Sequence, residues 1–188
     1  MLDSLAGRVL GLSRIIAILA GLMILAAALV VFIDVVLRSL VGHTLGGADE
    51  LSGYALAIGT TWALPYCLLG KHNIRVDTVY RLTSPATRAL LDCLGLLAIG
   101  GFVLILNYRA GLVLFETIER SSRSVGPLSL PQVYPQSLWF AGLVFFTFAF
   151  LLTALRSLAA LLSGDLAKVR EIAGTRDHAS DPSGSTTA

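Results

Sequence analysis

The sequence predicts an all-α integral membrane protein with four transmembrane helices and both termini on the cytoplasmic side. Three observations predict it. The mean hydropathy is +0.79 and 14% of the residues are charged, against about 25% in an ordinary soluble domain. Four apolar runs are each long enough for a bilayer, whose hydrocarbon core takes about 20 residues of helix. The bases sort by loop as well: Lys71, Arg75, Arg81 and Arg88 follow the second run, whereas Arg38 stands alone in the loop before it. Basic residues mark the cytoplasmic side of a membrane.

Residues 1–14, with Arg8 and Arg14, form a cytoplasmic N-terminus. The first span is 15–37. Residues 15–33 carry no charge, a run longer than the apolar part of a secretory signal, so the span is expected to be uncleaved. Asp34 and Arg38 stand four apart on one helix face, where they can pair at the outer rim. In the outer loop, 38–50, Gly42, His43, Gly46 and Gly47 break the helix, and Asp49 can cap the next one. The acids there also suit the helix dipole.

Span two, 51–70, holds Gly53, Ala57, Gly59 and Ala63, small residues that let another helix approach. Pro65 near its inner end predicts a bend. In the cytoplasmic loop, 71–87, Val76, Val79 and Tyr80 recur at helical spacing, with Asp77 and Arg81 on another face. That pattern predicts a short interfacial helix. It stops at Ser84-Pro85, which can open the next helix as cap and first residue.

Span three, 88–114, has an uncharged core over 93–108 and Arg109 toward its outer rim. A helix from Pro85 to Glu116 would be about 48 Å long, more than a bilayer needs, so tilt or protrusion must follow. The second outer loop, 115–135, carries Glu116, Glu119, Arg120 and Arg123, then Pro127, Pro131 and Pro135 among Leu128, Leu130 and Val133. The prolines exclude a regular helix. The apolar content predicts a segment lying along the membrane surface or against a partner. Tyr134 and Trp139 fit an outer aromatic belt. Span four is 136–155, and Arg156 ends it on the inside. An amphipathic segment, 156–173, leads to a tail, 174–188, rich in Ser, Thr, Gly and Asp and expected to be disordered.

The chemistry of the spans excludes several functions. Their uncharged cores hold none of the ionisable groups that membrane enzymes and pumps need. His43, His72 and His178 lie in loops and the tail, so no bis-histidine haem is expected between spans. Cys67 and Cys93 fall near cytoplasmic ends, where thiols stay reduced. No enzyme activity, cofactor or metal is expected, and no basic block suggests nucleic acid. Asn107 and the threonines of span two are the polar contacts available inside the membrane, with interhelical hydrogen bonds as their expected use. No internal repeat or broken span points to a self-sufficient secondary transporter. A subunit of a larger assembly fits best. The alternatives are a stand-alone homo-oligomeric transporter or channel, which needs a polar path, and a sensor or assembly factor, which needs an active tail.

Three short pieces stand at defined places relative to the spans: Asp34-Val35-Val36-Leu37-Arg38 closing the first, Asp49-Glu50-Leu51 opening the second, and Lys71-His72-Asn73-Ile74-Arg75-Val76-Asp77 following it. In order and spacing they resemble the small membrane subunit of tripartite ATP-independent periplasmic (TRAP) transporters, the DctQ-like family, over about residues 10–160. Asn73 intervenes between the histidine and the Ile-x-Val-Asp core that the family shares. The resemblance implies a heterocomplex in the bacterial inner membrane. A large multi-span permease subunit would carry the substrate and sodium sites and move the substrate by an elevator-like motion. A periplasmic solute-binding protein would deliver the solute, typically an organic acid. This chain would scaffold the large subunit. On that reading Arg38 and Glu50 bracket the first outer loop and pair with each other or with the large subunit. Lys71, Arg75 and Asp77 anchor the cytoplasmic loop to membrane lipids and the large subunit, and 116–135 offers a docking surface for the binding protein.

Overall fold

The computed structural model describes residues 2–70 and 85–162. Among them are four α-helices: α1 (Leu2–Val41), α2 (Ala48–Leu69), α3 (Pro85–Glu119) and α4 (Val133–Leu162). The interfacial helix expected in 71–87, the side chains of Lys71, Arg75 and Asp77, and the tail 174–188 lie outside the described residues.

Three helices are long and apolar enough to cross a membrane, over Asp3–Val41, Ala98–Glu119 and Val133–Ala159. The second helix is not among them by length and composition. Its 22 residues rise about 33 Å, but glycine, threonine, tyrosine, tryptophan and Pro65 dilute its apolar character. Those same small and amphipathic residues are what it uses to pack. α1 lies along α2, α2 along α4 and α4 along α3, with a lesser α1–α4 contact. So α2 and α4 form the middle of the bundle, and α1 and α3 its flanks.

The close approaches follow from residue size. On α2, Gly59 faces α1: a Cβ there would come within 2.7 Å of Ile24 and 3.3 Å of the Ala20 carbonyl oxygen. On α4, Gly142 faces α2, where a Cβ would meet the Thr61 hydroxyl at 2.6 Å and the Trp62 ring at 2.9 Å. Two helices in hydrocarbon gain little from burying apolar area, because lipid is as apolar as leucine, so such backbone proximity is what holds them. The Trp62 indole N–H adds a hydrogen bond to the Leu138 carbonyl at 2.9 Å, and its ring lies 6.1 Å from that of Phe145. Pro65 is fully buried within α2.

α1 begins at Leu2, well before the apolar run, and its first turns are part of the bundle. Ala6 and Val9 join Leu152 of α4 in a small apolar cluster flanked by Leu69 and Phe145. Asp3 accepts from Arg156 through both Nε (2.9 Å) and Nη2 (2.8 Å). The start of α1 and the end of α4 therefore share one side of the bundle.

Candidate functional site: an outer clamp and two open helix faces

The opposite end is built from loops. α1 ends where Gly42 turns left-handed at φ 72°, a helix stop that favours glycine. The chain then folds back along α1 so that Thr44 Oγ1 and the Leu45 N–H both donate to Asp34 Oδ1, at 2.8 and 2.6 Å. Asp34 is 6% exposed. Its acceptor capacity goes to the returning loop, which satisfies a buried carboxylate without a cation. Arg38, one turn on, remains exposed. The Asp34–Arg38 ion pair that helix spacing allows and the Arg38–Glu50 pair that the resemblance implies do not occur among the described residues.

The cap of α2 also differs from expectation. Gly47 is the N-cap, at φ 97° and with no side-chain cap hydrogen bond. Asp49 and Glu50 sit inside the first turn, where their charge suits the dipole but no side chain takes the capping role. Gly47 is required twice over, by its backbone angle and because a Cβ there would collide with the Leu128 side chain of the second outer loop.

That loop is a tight hairpin-like turn between α3 and α4. Ser124 N–H donates to Leu130 O at 2.8 Å and Gln132 N–H to Ser122 O at 3.0 Å, around a single antiparallel bridge of Arg123 with Pro131. Ser121 and Ser129 take positive φ, 47° and 46°, and the Arg123 guanidinium spans the turn to Ser129 O at 3.3 Å. The prolines fit because none has to donate within this ladder. The loop folds over the start of α2.

Glu50 is the joint. One carboxylate oxygen accepts from the Tyr54 hydroxyl at 3.0 Å and the other from the Leu128 N–H at 3.4 Å, with the Ser124 hydroxyl as a further donor. A Cβ on Gly126 would run into this carboxylate. The Ser124 hydroxyl holds the Glu50 carboxyl below its ordinary pKa of 4.5, helped by Tyr54 and the Leu128 N–H and opposed by desolvation. Sequence reasoning singled out Glu50 and offered Arg38 or the large subunit as its partner, whereas within this chain the partner is the loop between α3 and α4. The signal that could have found the right one is the Ser124-x-Gly126 pair in a loop otherwise too apolar to be solvated.

Within the bundle, Asn107 of α3 donates to Thr147 Oγ1 of α4 at 2.6 Å and to its own helix at Val103 O, 3.0 Å. It is the interhelical contact expected of it. The span-two threonines behave otherwise: Thr60 and Thr61 donate to carbonyls one turn back on α2. α3 runs on to Glu119, so Arg109 lies about 10 Å from Glu116 along the helix axis.

Two long faces remain open. On α1 the exposed residues include Ile15, Leu22, Leu29 and Phe32, and on α3 Phe102, Ile105, Leu112 and Phe115. At the outer tip Val125 is wholly exposed. No group of three or more His, Cys, Asp or Glu side chains that could hold a metal occurs among the described residues.

In comparisons with known proteins, the family model described as tripartite ATP-independent periplasmic transporters, DctQ component, matches residues 27–160. No curated protein and no solved structure matches the chain.

Proposed function

This chain belongs to the DctQ family of tripartite ATP-independent periplasmic transporters, and we propose that as their small membrane subunit it scaffolds the large permease subunit for sodium-driven solute uptake. As a member of that family it is a transporter component, not an enzyme, and it works in a tripartite system beside a large membrane subunit and a periplasmic binding protein. The solute is an organic acid handed over by the binding protein. All four helices span the inner membrane, with α2 shielded from lipid by α1 and α4, and both termini are cytoplasmic.

The observation that carries the scaffold reading is the contrast between a bundle closed at its centre and flanks that are bare. α2 and α4 pack backbone to backbone through Gly142, which leaves no evident passage between them, while α1 and α3 each turn a full apolar face outward. A subunit that widens a larger permease needs such flanks and no path of its own. The exposed tip at Val125, carried on a loop stiffened by Glu50, suits a docking point for the binding protein. Lys71, Arg75 and Asp77 then anchor the cytoplasmic loop to lipid headgroups and to the large subunit, and Arg38, unpaired at the outer tip of α1, faces that subunit or the headgroups.

The test is reconstitution. Proteoliposomes holding this chain, the large subunit and the binding protein are expected to accumulate solute under an inward sodium gradient, and those without this chain are expected to lose that uptake. Solute movement by this chain alone at the full rate would replace the scaffold with a stand-alone homo-oligomeric transporter. Cysteine labelling of intact cells checks the topology: positions in 121–131 are expected to react from outside and positions in 163–188 only after permeabilisation.

A further inference from the structure

Among the described residues of α3, Arg109 is a charge set within an apolar stripe. Val103, at 1% exposed, and Ala110, at 3%, seat α3 on α4, and Asn107 lies on the same stripe. Arg109 is exposed and lies on the opposite stripe with Phe102, Ile105 and Leu112. Its depth follows from register. Asn107 meets Thr147, and Gly111 packs against Phe140, so Arg109 is level with Gly142. Gly142 in turn lies against Thr61 and Trp62, about 16 Å along α2 from Glu50.

A guanidinium among the apolar side chains of a spanning helix is costly unless something meets it. Among the described residues Arg109 has no ion pair or hydrogen bond, and the acid two turns outward, Glu116, is bound to Arg120 at 2.8 Å. Reaching the outer headgroups is hindered by direction. Helical side chains lean toward the N-terminus of their own helix, and α3 runs from the inner side to the outer loop. Arg109 therefore leans deeper, away from the nearer polar rim.

We propose that the α3 face around Arg109 is the seat of a transmembrane helix of the large permease subunit, and that an aspartate or glutamate of that helix pairs with Arg109. This rests on the subunit reading above. The charge complements one acid on an otherwise apolar partner face, and a single pair of that kind sets the register of two smooth helices.

The full complex tests it. The chain is co-expressed with the large subunit as wild type, Arg109→Leu and Arg109→Lys, and a photo-crosslinking residue is placed at Ile105 or Leu112 in the wild-type background. Arg109→Leu is expected to reach the membrane at wild-type level, since it removes a charge from a span, and to lower the co-purified large subunit about tenfold. Arg109→Lys is expected to retain more than Arg109→Leu, and both crosslinkers to give adducts with the large subunit. Undiminished yield from Arg109→Leu overturns the charge pair, and adducts with lipid alone overturn the contact face. The crosslinks decide the contact even if Arg109→Leu fails to accumulate. Should the wild-type chain not co-purify with the large subunit at all, the subunit reading fails and this inference falls with it.

Discussion

The two ends of the bundle are held by different kinds of contact. At the loop end, outer on the proposed topology, Glu50 and Asp34 collect hydrogen bonds from residues of both loops, and Gly47 and Gly126 let the loops close onto them. At the other end, inner on that topology, α1 meets α4 through the Ala6, Val9 and Leu152 cluster and one ion pair. The outer contacts are directional, so they specify one arrangement and tolerate little substitution. The inner ones are mainly apolar and can repack, since volume and shape rather than donor geometry decide them. A loop presented to a soluble partner profits from the first kind. Helix ends that only need to stay together can rely on the second.

The largest effect should come from breaking the outer end sterically. Gly126→Val drives a side chain into the Glu50 carboxylate and is expected to destabilise by up to about 3 kcal/mol as overpacking. It is checked by thermal unfolding in detergent and by protease cleavage within 121–131. Wild-type resistance to cleavage would mean that the loop does not need this approach. At the inner end Leu152→Ala is expected to cost about 1–2 kcal/mol, less than in a soluble core because lipid replaces much of the lost apolar environment and mainly the cavity counts. A loss as large as that of Gly126→Val would erase the contrast between the ends.

Acid sharpens the comparison further. Because the Glu50 carboxyl titrates below its ordinary 4.5, its stabilising contribution is complete above that pH and is lost as pH falls through the lower folded value. Pepsin susceptibility of the outer loop is therefore expected to rise only in stronger acid in the wild type, and to lack this component in Glu50→Gln. An equal acid response in the two proteins would remove Glu50 from the clamp. The smallest effect belongs to the inner ion pair: Arg156→Ala is expected to cost about 0–1 kcal/mol, since the Asp3 side chain is 57% exposed, and the cost should shrink with added salt.

Much of this was legible from local pattern. The helix opening at Pro85, the breaks at Gly42 and Gly47 and the interhelical use of Asn107 follow from residue chemistry within one or two turns. Membership of the family was legible from three short pieces in their order. The partners of Asp34 and Glu50 were not. Spacing along α1 suggested Arg38 for Asp34, and the resemblance suggested Arg38 or the large subunit for Glu50, but a carboxylate at a loop junction takes whichever donors the fold brings closest, and here those are backbone N–H groups and hydroxyls. The level of Arg109 against α4 was not legible either, because it shows only in the register of one helix against the other.

By itself the sequence determined that this chain is a helical membrane protein of the DctQ family. Apolar runs of bilayer length must satisfy their backbone hydrogen bonds internally, and glycine and proline between them set where each helix ends. Only the tertiary structure decided that Glu50 receives the loop between α3 and α4 through Gly126 and Leu128, that Arg109 lies on an open face of α3, and that the first turns of α1 close on α4. Each of these depends on register between segments far apart in the chain, and no local periodicity encodes the alignment of one helix against another.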